Sequence, residues 1–384
     1  MHWSLLIVLY PYITGLVAGA FILASLVKVF NVKELQPVYR ISLLTALAFM
    51  LVAPLPLQAH LGHPEKSFEI FLTPNVTSAM AMFGFVYMWY LMAVLQLEIW
   101  FDYRKDLILW ARQEKGIRKW IHRFTSFFSN DISEKAIAFD EKAEKIITIL
   151  GIPSAFLLHG YVGFIFGSVK ANPWWSSVLM PIVFLFSAIV SGIALVLLIY
   201  MIVTPMRSKQ VDMNCLDKLA SFLFYAMIVD FSLEILDFIH RIYESEESIH
   251  ILSELVSGKL FISLVVVQLL IGMIIPLGAI AVTKAFKAPA ELKKLIYFTS
   301  AILVQVGIFS TRWNVVVGGQ LFSKSFRGLT AYKMTFLGLE GLLVAIAILV
   351  LPLIILYVLF KLLPPWEEAR MKIPVIQENI NENN

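Results

Sequence analysis

The chain is short of cysteine and short of charge. It holds one cysteine, Cys215, in 384 residues. An all-cysteine iron–sulfur site or an internal disulfide needs at least two thiols, so both are excluded. Only 15% of the residues are charged and 59% are hydrophobic, where a soluble protein carries roughly a quarter charged residues. Such a composition belongs in a lipid bilayer. The formal net charge of +4 is small for this length and gives no nucleic-acid footprint. Metal-ligand spacing such as HExxH, a phosphate-cradling glycine loop and a nucleophile elbow are absent. So are the alternating strands of about ten residues that mark an outer-membrane barrel.

Long unbroken apolar runs take their place. They fall near 5–27, 41–59, 76–100, 146–169, 176–204, 213–240, 260–283, 295–311 and 335–360, and each is long enough for a crossing of about 20 residues. The spacing predicts an all-α integral membrane fold of about nine transmembrane helices. The first run has no basic flank and exceeds the roughly 7 to 15 apolar residues of a signal peptide, so it reads as a span. Loops after helices 1, 3, 5 and 7, with the C-terminal tail, hold 23 of the 31 basic residues. Basic loops stay in the cytoplasm, which predicts an outside N-terminus and a cytoplasmic C-terminus in the inner (cytoplasmic) membrane. The chain then divides into helices 1–3 (1–100), a cytoplasmic amphipathic segment (101–145), helices 4–5 (146–204), helices 6–9 (205–363) and a polar tail (364–384). The segment interleaves Arg104, Lys105, Arg112 and Arg118 with Leu107, Trp110 and Trp120, and reads as surface helices or a docking face for a cytoplasmic subunit.

Polar groups at hydrocarbon depth are costly unless they face a cavity or a partner. Helix 6 carries Asp230, Glu234 and Asp237 on one face, followed by His240, Arg241 and an acidic loop of Glu244, Glu246 and Glu247. That stripe reads as a hydrated proton route or as a structural ion-pair network. Helix 4 carries His159 and Tyr161, groups able to hydrogen-bond a quinone carbonyl and exchange its proton. Packing against a neighbouring helix accounts for them equally well. In helix 1, Pro11 frees a carbonyl and Gly15 with Gly19 lets another backbone approach. Near the end of helix 8, Arg312 precedes Asn314 and a flexible Gly318-Gly319 turn; it anchors a carboxylate or snorkels to the headgroups. Among the seven histidines only His159 lies well inside a span, which argues against a haem held between two helices.

Four segments in order carry a family resemblance: Tyr10-Pro11-Tyr12-Ile13-Thr14-Gly15 in helix 1, Leu61-Gly62-His63-Pro64-Glu65-Lys66 after helix 2, His159-Gly160-Tyr161-Val162-Gly163 in helix 4, and Pro173-Trp174-Trp175 before helix 5. Together they resemble the NrfD family of polysulfide-reductase-type membrane subunits. Within it, Arg312 to Gln320 and the following Lys324-Ser325-Phe326-Arg327-Gly328 are most similar to the DsrP (HmeB) branch of sulfite-reduction-associated DsrMKJOP complexes. The resemblance implies paired four-helix bundles plus an extra helix, with menaquinone held non-covalently in the bundle of helices 1–4 and no haem or iron–sulfur cluster in this chain. Positions matching the family's quinone role are Tyr12, Thr14, His60, His159 and Tyr161; Asp230, Glu234, Asp237 and Arg312 would serve a proton path. His60 and His63 depart from the family's usual Asp and Arg beside that turn.

Partners implied by the resemblance are an extracytoplasmic ferredoxin-like iron–sulfur subunit, a b-haem membrane subunit, a heterodisulfide-reductase-like iron–sulfur subunit and a multihaem cytochrome c. The expected function is menaquinol-linked electron transfer tied to sulfur metabolism, without a metal centre in this chain. A proton-coupled secondary transporter and a passive membrane anchor are the alternatives. Paired broken helices would favour the transporter, and the sequence does not contain them.

Overall fold

The computed structural model describes residues 3–73, 75, 77–244, 249–286, 288–322 and 328–366. Among them, nine helices are long and apolar enough to cross a membrane. Helices 1 to 9 are Leu5–Lys28, Gln36–Val52, Ala79–Gln113, Glu134–Gly167, Met180–Met206, Met213–Glu244, Phe261–Ala285, Ala290–Gln320 and Leu342–Leu362. The hydropathy reading of the sequence therefore matches the architecture. The tail from residue 367 onward, Lys324 to Arg327, and the side chains of Glu244, Glu246 and Glu247 lie outside the described residues.

Helix 1 is apolar around most of its circumference and is buried accordingly, packed against helices 2, 4, 5 and 8. Its glycines make this possible. A Cβ on Gly19 would overlap the Ala188 carbonyl of helix 5, and one on Gly192 would overlap Gly19 in return. Gly272 and Gly307 join helices 7 and 8 in the same way. Without a hydrophobic driving force between helices in lipid, such close backbone approach is the main source of packing energy. Helices 1–4 and helices 5–8 form two groups that meet where helix 1 crosses helix 5, and helix 9 lies against helix 2.

The 101–145 segment differs from the surface connector expected. Helix 3 continues to Gln113 and helix 4 starts at Glu134, so only Ile117–Thr125 forms a separate short helix. The charges that read as solvated are paired across helices instead. Arg104 meets Asp140 at 2.6 Å, and Arg40 of helix 2 meets Asp102 and Asp106, each at 2.8 Å. The short helix still exposes Ile117, Trp120 and Phe124, while His122 donates to the Leu362 carbonyl at 3.0 Å and ties it to the end of helix 9.

Helix 8 likewise runs past the expected boundary, through Gly318 and Gly319 to Gln320, so the predicted flexible turn is helical. The Pro173-Trp174-Trp175 loop explains it. Trp174 and Trp175 donate their indole N–H groups to the Asn314 and Val315 carbonyls at 2.8 and 2.7 Å, and Asn172 donates to the Gly319 carbonyl at 2.7 Å. The indole of Trp175 lies where a side chain at Gly319 would stand. Carbonyls at a helix C-terminus need partners, and this loop supplies them.

Candidate functional site

Three features hold the sequence-predicted residues, which are divided among them. The first is an apolar cavity of about 400 Å³ at the N-terminal end of helix 1, bounded by helices 1, 3 and 4 and the short Leu55–His60 helix that follows helix 2. Trp3, Ile7, Tyr10 and Pro11 form its helix 1 wall at the i, i+4, i+7, i+8 spacing of one helical face. Gly84 and Phe85 of helix 3 face Tyr161 and Phe166 of helix 4 across it. Polar groups in this lining are few. The hydroxyls of Tyr10 and Tyr161 hydrogen-bond each other, and both rings are buried. His60 stands at the rim, its Nδ1 3.0 Å from Glu340 and 3.4 Å from Ser4 Oγ. Leu61, Ile70 and Phe71, all exposed, complete that rim.

The second feature lies at the centre of the protein. Arg312 has no exposed surface; it neither snorkels nor reaches the headgroups. Its Nη2 donates to Ser187 Oγ at 2.6 Å and to His159 Nε2 at 3.1 Å, and its guanidinium lies 4.2 Å from the centre of the Phe184 ring. Arginine can only donate, so Nε2 is the acceptor nitrogen of His159 and Nδ1 carries the hydrogen. That Nδ1 lies 3.4 Å from Thr14 Oγ1, whose hydroxyl donates to the Tyr10 carbonyl at 2.9 Å. Asp230 and Glu234 of helix 6 are within Coulombic reach of Arg312. Asp230 is fully buried, and neither of its carboxylate oxygens has a hydrogen-bond partner among the described residues.

The third feature is a cavity of about 270 Å³ among helices 5 to 8. Its polar lining is Glu234, Asp237, Arg241, Gln268, Thr311 and Asn314. Asp237 is ion-paired with Arg241 one turn later and accepts from Ser177, while Arg241 donates to the Trp174 carbonyl at 2.5 Å. Gln268 donates to Glu234 at 3.2 Å and accepts from Asn314 at 2.7 Å, and Asn314 in turn accepts from Ser263 at 2.6 Å. The stripe along helix 6 is thus partly a structural network at Asp237 and partly an open carboxylate pair at Glu234 and Asp230.

Of the five positions expected at a quinone, the structure brings His60 and Tyr161 to the first cavity. Thr14 and His159 belong to the central cluster, and Tyr12 donates to Gln305 at 2.7 Å on helix 8. The reason is helical geometry: residues two apart point to nearly opposite sides, so His159 and Tyr161 cannot face one pocket. The same rule separates Tyr12 from Tyr10, the cavity residue that sequence reasoning passed over. Tyr10 shares a face with Ile7 and Pro11, which was the available signal. Gln58 and Gly84, also in the lining, carried none.

With this geometry in hand, the comparisons with known proteins are informative. The family described as "Polysulphide reductase, NrfD" matches residues 1–324. A selenate reductase subunit of Mesobacillus selenatarsenatis is 31% identical over 82% of this chain and 73% of its own length. The Hdr-like menaquinol oxidoreductase integral membrane subunit of Archaeoglobus fulgidus is 22% identical over 89% of this chain and 77% of its own. A putative dimethyl sulfoxide reductase membrane subunit of Halobacterium salinarum is 27% identical over 58% of this chain and 48% of its own. Nine apolar helices, a family match over most of the chain and a relative at 31% identity agree with one another: this multi-pass integral membrane protein belongs to the NrfD family of polysulphide reductase membrane subunits.

Proposed function

We propose that the chain is the quinone-reactive membrane subunit of a respiratory electron-transfer complex, and that the cavity of Tyr10, His60 and Tyr161 is its quinol site. The observation that carries this reading is the cavity's chemistry: an apolar volume of about 400 Å³ whose few polar groups include the paired Tyr10 and Tyr161 hydroxyls and the imidazole of His60 at the rim. A flat ring bearing two oxygens on an apolar tail needs such a lining, because the walls bury the tail and the hydroxyl and imidazole groups address the ring oxygens. Quinol oxidation delivers two electrons and two protons. The chain's own part is to bind and orient the ring and to move its protons. Tyr161 and Tyr10 hold one ring oxygen, and His60 at the rim exchanges a proton with it.

Menaquinol is the substrate we infer, in keeping with the name of the Archaeoglobus relative. With the N-terminus outside, as the basic residues suggest, the cavity opens near the outer surface, where an extracytoplasmic iron–sulfur subunit would take the electrons. A b-haem membrane subunit, a heterodisulfide-reductase-like subunit, a multihaem cytochrome c and a link to sulfur or sulfite metabolism of the DsrP kind complete the proposal. Asp230, Glu234 and Arg312 form its proton route through the second bundle, beside Asp237 in its ion pair with Arg241.

The test is mass spectrometry of lipids extracted from the complex purified in mild detergent. Stoichiometric menaquinone, lost when Gly84→Leu fills the cavity, is the expected result. No quinone in several detergents, with no binding of an added naphthoquinol, would overturn the assignment.

A further inference from the structure

Residues 328–341, which lead into helix 9, lie beyond residue 324, where the family match ends. This segment returns across the end of the protein that carries the first cavity. Thr330 N–H donates to the Leu321 carbonyl at 2.6 Å, and Tyr332 packs edge-on against Trp313, their ring centres 5.4 Å apart. At the end of helix 8, Gln320 accepts from the Trp3 N–H at 2.5 Å, which fixes this region to the start of helix 1. The segment then turns into helix 9. Gly338 takes φ +101°, a conformation that side chains rarely adopt, and the Leu342 N–H closes the turn on the Thr335 carbonyl at 2.9 Å. This turn presents Glu340 to His60.

The pair has the geometry of a relay. His60 Nδ1 lies 3.0 Å from Glu340 Oε1, with the imidazole 16% exposed and the carboxylate 44% exposed. One partner therefore lines the cavity and the other meets water. A carboxylate this close to one ring nitrogen is placed to take a proton from the imidazole, and Nε2 is the nitrogen left to receive one. Other polar groups near the pair are Ser4 Oγ, 3.4 Å from the same nitrogen, and Tyr332, within Coulombic reach of Glu340. His63 and Glu65 on the neighbouring turn are paired with each other at 2.9 Å.

We infer that Glu340, supplied by the segment outside the family match, is a positioning residue that works with His60 to pass quinol protons from the cavity to the adjacent aqueous phase. This inference rests on the quinol-site reading above. Each ring O–H that breaks gives its proton to His60 Nε2 while the electron goes to a one-electron carrier in a partner subunit, the iron–sulfur class already proposed. His60 then releases the Nδ1 proton to Glu340, Glu340 releases it to water, and proton exchange with water at the rim returns the neutral ring from the Nε2–H to the Nδ1–H tautomer before the next cycle. Two such cycles account for the two protons and two electrons of one quinol. Quinone reduction uses the same groups in reverse.

The experiment compares the assembled complex carrying wild-type chain, Glu340→Gln, Glu340→Asp or His60→Gln, with a short-chain naphthoquinol as donor. Binding of the naphthoquinol is measured separately by fluorescence quenching. Glu340→Gln is expected to lower kcat about 10-fold while leaving KM and binding within about 2-fold, and His60→Gln to lower kcat by about 100-fold. Removing the carboxylate makes proton release from the imidazole the slow step, so the solvent deuterium isotope effect on kcat rises. Glu340→Asp should restore most of the rate and return the isotope effect toward its wild-type value, which a purely structural role would not do. Wild-type kcat and an unchanged isotope effect in Glu340→Gln, with the naphthoquinol still bound, would overturn the relay and leave the pocket standing. Failure of the wild-type complex to bind the naphthoquinol would overturn the pocket, and the relay with it.

Discussion

The two cavities lie in different helix groups and differ in the charge they carry. The one beside helix 1 is walled by apolar and aromatic side chains with two phenol hydroxyls and an imidazole. The one among helices 5 to 8 contains two carboxylates, an arginine and two side-chain amides. Aromatic rings stand between them: Phe166 lines the first, Phe184 lines the second, and their centres are 6.0 Å apart. The contrast suggests a division of labour in which the first cavity holds an apolar molecule and the second holds charge. Arg312 sits between, bonded to His159 on one side and in the field of Asp230 and Glu234 on the other.

The severest way to break this arrangement is Arg312→Leu. It leaves Asp230 and Glu234 without their buried counter-charge, and a loss of about 3–5 kcal/mol of stability is expected. Thermal unfolding of the detergent-solubilised complex measures it; an unchanged midpoint would mean that the carboxylates are neutral without the arginine.

Gly84→Leu sharpens the comparison from the other side. A Cβ there would stand 3.2 Å from the Tyr161 hydroxyl, so a larger side chain enters the first cavity. Overpacking of about 1–3 kcal/mol corresponds to roughly 5- to 150-fold weaker quinone binding. Val265→Phe, which fills the second cavity, should leave that binding unchanged, and equal weakening by both would abolish the distinction.

Tyr161→Phe removes one hydroxyl of the pair and is expected to reduce quinol turnover by about 10-fold, consistent with one lost hydrogen bond. His159→Ala, two residues away, should instead lower thermal stability and spare quinone affinity, because its partners are Arg312 and Thr14. Parallel kinetics and melting curves separate the two. The smallest effect is expected from Glu234→Gln, which keeps the Gln268 contact and removes a titrating group. Quinone affinity should stay within about 2-fold, while proton uptake measured in proteoliposomes declines. Loss of both together would assign Glu234 a structural role.

The architecture was legible because twenty-residue apolar runs have one economical fate in a bilayer. Element ends were less so. Arg104 and Asp140 lie 36 positions apart in the chain, and nothing in their local sequence states that they pair and extend two helices. For the site, the periodicity of a helix was the overlooked information. It separates Tyr161 from His159 and Tyr10 from Tyr12, and it unites Asp230, Glu234 and Asp237. The partners that give each residue its role were beyond reach, because Tyr12 with Gln305 and His60 with Glu340 are each joined across nearly 300 positions.

Both glycine crossings bear on how the molecule can move. At Gly19 with Gly192 and at Gly272 with Gly307, one backbone rests directly on another, with no side chain between them to rotate or slide. Packed backbones of that kind act as welds. Helix 1 is therefore fastened to helix 5, and helix 7 to helix 8, and any breathing that admits a bulky molecule falls to the parts without welds: the short helix ending at His60, the turn after it, and the first turns of helix 3. The stiff frame holds the distances constant, and the compliant rim sets the rate of entry and exit.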